Sequence, residues 1–314
     1  MFRSLLVPLD GSSAAEAALH GAAEIARRSR ATLHLVRVHR PVRRAEITEL
    51  ALYSDRLFAD EVNYLRGVAA RLESRWGISV SVAVEDEPVA PAIAARATAV
   101  GADLIVMTTH GRTGFRRAWI GSVADDVVRH AAVPVLLSRV SPEEGASEPA
   151  EQLFRDILVP LDGTAAPESI VPAALALGAL ADACITLLRV VEPAMVPAGA
   201  SSMLLADGGP SPAQAMDLDP ARHESEAARR YLDDAVTRLL PRDGSVRARS
   251  VVVVHEDPAE GVLEHLRGSS HDLIAMTTRA RPFSRMIIGG MADALLRGTR
   301  LPILLRKSSH VDAA

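Results

Sequence analysis

The feature that most constrains this chain is an internal duplication. Ser4-Leu-Leu-Val-Pro-Leu-Asp-Gly-Ser12 returns as Asp156-Ile-Leu-Val-Pro-Leu-Asp-Gly-Thr164, and Leu33-His-Leu-Val-Arg-Val38 returns as Ile185-Thr-Leu-Leu-Arg-Val190. Val80 to Asp86, with Pro88 shortly after, aligns with Val251 to Asp257, followed by Pro258. Ala102-Asp-Leu-Ile-Val-Met-Thr-Thr109 matches His271-Asp-Leu-Ile-Ala-Met-Thr-Thr278, and Val133-Pro-Val-Leu-Leu137 matches Leu301-Pro-Ile-Leu-Leu305. Five blocks in one order, twice, require a fold that one chain can build two times over.

Each block is a short apolar run of the kind that forms parallel strands buried on both faces. Between the blocks lie helix-period stretches, Ala14 to Arg28, Glu61 to Trp76, Pro88 to Val100 and Val123 to Ala131, with Ser12 or Ser13 as N-cap of the first. Alternating strand and helix predicts right-handed crossovers and an α/β fold of two tandem doubly wound five-stranded parallel sheets. The boundaries read as a first domain over 1–140, an acidic Pro/Gly/Ser-rich linker over 141–152, a second domain over 153–307 and a tail over 308–314. The second copy carries an insertion from Pro193 to Pro220 between its second strand and the next helix.

Composition narrows the chemistry. Lys307 is the single lysine among 314 residues, which removes a P-loop lysine, a lysine base or a Schiff base from almost the whole chain. The net charge of −4 argues against a nucleic-acid partner. Cys184 is alone, so neither a disulfide within the chain nor a cysteine metal cluster is available, and its neighbours read as a buried strand. The long apolar run from Ile170 to Val190 is broken by Asp182 and divides into a helix and a strand, so a membrane partner is not expected. The N-terminus enters a strand without a signal-peptide pattern, and a cytoplasmic protein is the expectation.

In an open parallel sheet, ligands sit beyond the strand C-termini where the strand order reverses. The loop after the first strand, Pro8-Leu9-Asp10-Gly11-Ser12, places a carboxylate there. After the fourth strand come Met107-Thr-Thr-His-Gly111, nine residues, and Gly121-Ser122 before a helix, with Ser122 and Asp125 spaced as a capping box. Glycines and a helix N-terminus present backbone N–H groups to an anion, and Arg112, Arg116 and Arg117 lie between the two parts of this cradle. Each feature has a plainer reading: a turn at Asp10-Gly11, a cap at Gly121-Ser122, a solvated surface for the arginines and a bystander role for His110. No H-E-x-x-H spacing is present, and no metal is expected beyond Mg²⁺ carried by a nucleotide.

Both halves resemble the universal stress protein family, whose nucleotide motif is G-x-x-G, nine residues, then G-[ST]. Here it stands as Thr108-Thr-His-Gly111, nine residues, Gly121-Ser122, with Thr108 replacing the first glycine. The resemblance implies strand order 3-2-1-4-5 and ATP as ligand. Adenine would lie against Pro8, Asp10, Val38 and Met107, and phosphates near Thr108, Gly111, Arg112, Gly121, Ser122 and Val123. It also implies domain pairing through the fifth strands, as a pseudo-dimer inside one chain or a homodimer between chains. The second copy reads Met276-Thr-Thr-Arg-Ala280, a loop one residue shorter, then Gly289-Gly290, so the glycine and serine are lost while Asp162 and Val190 remain. The expected function is stress-response or signalling by ATP binding in the first half, with at most slow hydrolysis or adenylate-kinase-like side activity. A nucleotide-independent assembly scaffold is the alternative.

Overall fold

The computed structural model describes residues 1–39, 48–109, 121–139, 153–193, 220–241, 246–278 and 290–308. The first copy runs β1 (Ser4–Pro8), α1 (Ser13–Glu16), α2 (Ala18–Ser29), β2 (Thr32–His39), α3 (Thr48–Trp76), β3 (Val80–Asp86), α4 (Val89–Ala99), β4 (Leu104–Thr109), α5 (Ser122–His130) and β5 (Val135–Arg139). The second runs β6 (Asp156–Pro160), α6 (Ala165–Glu168), α7 (Val171–Gly178), β7 (Cys184–Val191), α8 (Pro220–Leu239), β8 (Arg247–Val254), α9 (Pro258–Arg267), β9 (Leu273–Thr278), α10 (Gly290–Gly298) and β10 (Ile303–Lys307).

All ten strands join one sheet in the order β3-β2-β1-β4-β5-β10-β9-β6-β7-β8. Each half is therefore ordered 3-2-1-4-5 and parallel throughout, as the α/β reading expects. The halves meet where β5 pairs antiparallel with β10, Val135 opposite Leu305, Leu136 opposite Leu304 and Leu137 opposite Ile303. The equivalent residues Leu136 and Leu304 thus face each other on an approximate two-fold axis. The exposed fifth-strand edge that each half would present alone is consumed inside the chain.

Two apolar layers cover the sheet, and both run through the two halves without a break. One face packs against α1, α2, α3 and their counterparts around Leu5, Val7, Leu35, Leu136 and Leu304. The other packs against α4, α5, α9 and α10 around Leu6, Val36, Met107, Leu137 and Leu305. Leu, Val, Ile and Ala fill both layers, as the scarcity of aromatics requires, and Cys184 is buried at the start of β7.

The structure corrects the sequence reading in four places. The third blocks align three residues earlier than proposed, because β7–β8 pairing opposes Ile185 to Ala248 as β2–β3 pairing opposes Leu33 to Val80. A Val-Val-Val-Val run matches itself in several registers, so only the ladder decides. The helix expected from Glu61 begins at Thr48, and the first helix is interrupted at Ala17. Ser122 is not a cap: Gly121 occupies that position without a side-chain hydrogen bond, and the Asp125 carboxylate pairs with Arg129 at 3.4 Å. Gly290 likewise opens α10 as its first helical residue, and Asp293 pairs with Arg297 at 2.9 Å.

Burial holds His34, His265 and His271 below the ordinary histidine pKa of 6.5. Hydrogen bonds from Arg27 to Glu24 and from Arg238 to Glu168 hold those carboxyls below 4.5. For all five the unfolded chain binds more protons, so their stabilisation is present above those ordinary values and is lost as pH falls through the folded ones. Thermal melts across a pH series should therefore show one decline beginning below pH 6.5 and a second below 4.5. Asp125 and Asp272, raised by burial, offset part of the second decline. A melting temperature flat from neutral pH down to 5 would contradict the histidine assignment.

Candidate functional site

The strand order reverses between β1 and β4, and of the residues singled out from sequence Pro8, Asp10, Met107 and Thr108 lie in or just after those two strands. Leu9 N–H bonds to Val36 O at 2.8 Å, the last tie between the chain leaving β1 and β2. Asp10 then forms an Asx turn, its Oδ1 accepting from Ser12 N at 2.9 Å and from Ser12 Oγ at 2.6 Å. Ser12 Oγ also accepts from Ala15 N at 3.1 Å, capping α1 as expected. Gly11 has φ +84°, and a Cβ there would stand 2.6 Å from Arg37 Nη1, so only glycine fits the turn beside the guanidinium.

Pro8, Val38 and Met107 lie toward the same sheet face as α5, alternating with Val7 and Arg37, which face the other layer. Met107 is buried and Val38 half-buried on that face. At the other end, Gly121 is extended (φ −60°, ψ 145°) and leads into α5 with no side-chain cap. The backbone N–H groups of Ser122, Val123 and Ala124 precede the first intrahelical bond, Asp125 N to Gly121 O at 3.1 Å. A Cβ built on Gly121 meets no described residue within 4 Å. Ser122 is exposed and Val123 half-buried.

Thr108 takes another role. Its hydroxyl donates to Ala14 O at 2.7 Å, tying the end of β4 to α1, and the residue is buried. The side chain that replaces the motif's first glycine thus serves the scaffold. Gly111, Arg112, Arg116, Arg117 and His110 lie outside the described residues. So do Ala280, Gly289, the linker and the insertion between 194 and 219.

Sequence reasoning missed a set of side chains beneath each Asp-Gly turn. Arg37 lies over the Tyr64 ring at 5.4 Å, Tyr64 OH donates to Glu16 Oε1 at 2.7 Å, and Arg71 pairs with Glu16 at 3.2 Å. In the second copy Arg189 lies over Tyr231 at 5.3 Å, Tyr231 OH donates to Glu168 at 2.8 Å, and Arg238 pairs with Glu168 at 2.9 Å. Burial and the adjacent carboxylates push both phenols well above their ordinary pKa of 10, so they remain donors at any physiological pH. Asp162 repeats the Asx turn on Thr164, and Gly163 (φ +91°) would place a Cβ 2.9 Å from Arg189 Nη1. The first copy adds Glu61, which pairs with Arg37 at 3.2 Å and with the buried His39 at 2.8 Å. Arg37 is thus anchored between a ring and a carboxylate. Projecting the repeat onto Glu16, Arg37, Tyr64 and Arg71 would have exposed the network, since all four recur.

Among the described residues, no group of three or more His, Cys, Asp or Glu is arranged around a metal, and no helix is long and apolar enough to cross a membrane.

The strand order 3-2-1-4-5, reversing between the first and fourth strands and present twice in one sheet, defines a duplicated doubly wound α/β protein. The universal stress protein family model matches residues 1–139 and again 153–307, and the chain belongs to that family as a tandem of two domains. Over 165 residues it is 32% identical to a putative universal stress protein of Staphylococcus haemolyticus, covering 49% of this chain and 96% of the relative. A universal stress protein of Methanocaldococcus jannaschii is 29% identical over 147 residues, 46% of this chain and 86% of the relative. A crystal structure of a universal stress protein from Archaeoglobus fulgidus matches the full tandem fold with TM-score 0.66 at 16% identity, covering 98% of each chain.

Proposed function

We propose that this chain is a nucleotide-binding member of its family, with ATP and its Mg²⁺ held by the first domain and the second domain binding weakly or not at all. The observation that carries the reading is the α5 start. Gly121 brings no side-chain cap to the first-turn N–H groups, and a Cβ on it meets no described residue within 4 Å, an arrangement that suits an anion. Pro8, Val38 and Met107 supply apolar surface on the same sheet face, and Asp10 supplies a fixed acceptor for an exocyclic amine. Ser122, Val123, Gly111 and Arg112 complete the phosphate end. In the second domain Gly290 stands where Ser122 does, so one hydroxyl is lost.

Binding rather than turnover is the proposed activity. The Asp10 carboxylate is engaged by Ser12, and the Glu61 and Glu16 carboxylates are engaged by Arg37, His39, Tyr64 and Arg71, which leaves none of them as a ready base. The scaffold alternative rests on strand edges that β5 and β10 already satisfy within the chain.

Denaturing the purified full-length chain and quantifying released adenine nucleotide tests the reading. About one nucleotide per chain is expected, with saturation by added Mg-ATP at the same stoichiometry. Two per chain contradicts the asymmetry, and neither release nor binding at millimolar Mg-ATP contradicts the function.

A further inference from the structure

We propose that His265 and His271 form a binding site for a divalent transition-metal ion of the zinc type, on the second domain only. The two Nε2 atoms lie 3.2 Å apart, with rings whose centroids are 5.3 Å apart. Two nitrogens that distance apart, each at the usual ~2.0–2.1 Å from one Zn²⁺, subtend about 100° at the metal, close to a tetrahedral edge. His265 lies in the last turn of α9, and His271 lies two residues before β9.

The surroundings favour a cation. The Asp156 carboxylate, which accepts from Ser270 Oγ at 3.2 Å, and the Asp272 carboxylate favour positive charge at His271. The His271 Nδ1 is buried without a hydrogen-bond partner among the described residues. Two protein ligands leave the remaining positions to water, so the ion is exchangeable rather than structural.

The duplication supplies an internal control. The Asp103 and Asp272 carboxylates bond equivalent backbone N–H groups, at Arg3 and Ser4 in one copy and at Arg155 and Asp156 in the other, which fixes the correspondence. At the places of His271, His265 and Asp156 the first domain has Ala102, Arg96 and Ser4. Ala102 is 5% exposed in an otherwise equivalent scaffold, so the fold does not need an imidazole there. The second domain accepts the cost of half-burying two imidazoles, and the packing alone gives no reason for it.

Titrating ZnCl₂ into the full-length, nucleotide-free chain by calorimetry at about pH 7.5, above the ordinary histidine pKa, tests the site. The expectation is one saturable site per chain that raises the melting temperature on loading. His271→Ala, the residue the first domain already carries, should fold normally and weaken this site about tenfold or more. His265→Gln should do the same, and His130→Ala should leave it unchanged. Absence of saturable binding below about 1 mM Zn²⁺, or unaltered binding in His271→Ala and His265→Gln, would mean that the pair is only an imidazole–imidazole hydrogen bond and would overturn the proposal.

Discussion

Leu304→Ala is expected to lower the melting temperature of the whole chain by about 3–8 °C, a larger effect than any surface change should have. Leu304 is 0% exposed and faces Leu136, 2% exposed, across the antiparallel junction of the two half-sheets. Truncating a leucine in such a place removes its transfer free energy and leaves a cavity, together about 2–5 kcal/mol. The shift follows from that loss divided by the unfolding entropy of a single cooperative unit of 314 residues, about 1.5 °C per kcal/mol. The junction has a further consequence. Both apolar layers pass from one domain into the other through residues such as Leu136, Leu137, Leu304 and Leu305, so the domains should unfold together. Calorimetry of the parent chain should show one cooperative transition, and Leu136→Ala should match Leu304→Ala because the pair is related by the approximate two-fold. A shift of less than about 2 °C in both variants, or two independent transitions in the parent, would show that the pairing contributes little.

Some of this architecture was legible in the sequence because duplication turns weak signals into strong ones. A single Leu-Leu-Val-Pro-Leu-Asp-Gly run could be many things, but its return as Ile157-Leu-Val-Pro-Leu-Asp-Gly163 fixes a strand and a turn together. The strand order then followed from the family resemblance, and the pairing registers agree with it for four of the five blocks. The third block slipped because identical valines carry no register information; only hydrogen bonding to β7 distinguishes them. The helix start at Ser122 was misread for a related reason. Ser and Asp three residues apart satisfy a capping pattern, but the pattern does not say which residue leaves helical φ/ψ, and Gly121 does so instead. The Arg37, Tyr64 and Glu16 network was missed because its members lie on different elements, β2, α3 and α1, and no local spacing links them. Contacts of that kind are created by topology. The same holds for His265 and His271, whose helix-to-strand spacing matches no local ligand pattern.

Gly121→Asp is expected to leave the fold as stable as the parent, or slightly more so, while weakening nucleotide binding by about a hundredfold or more. The two effects come from one set of groups. Gly121 sits at the N-cap in an extended conformation (φ −60°, ψ 145°) that any residue adopts, and a Cβ on it meets no described residue within 4 Å. An aspartate there can accept from the N–H of Val123 or Ala124 and places a negative charge at the positive end of the helix, a gain of about 0.5–1 kcal/mol over glycine. Those are the N–H groups proposed to receive phosphate, so the carboxylate occupies the acceptor site and repels the ligand. Two like charges about 4 Å apart at a partly screened surface oppose each other by roughly 4 kcal/mol, enough for a hundredfold loss even if about a quarter is relieved by motion. Gly121→Ser separates the components: it keeps the cap without the charge, and its loss of affinity should be smaller. Asp10→Ala is a poorer probe, because it also removes the acceptor for Ser12 N and Oγ and loosens the turn. Asp10→Asn, which retains an oxygen there, is the informative change at the adenine end. Parallel melting curves and Mg-ATP titrations of the full chain decide the matter. A Gly121→Asp protein that melts normally and binds Mg-ATP like the parent would remove the α5 N-terminus from the site. Loss of binding with the fold intact would put the phosphate end of the ligand at that helix start.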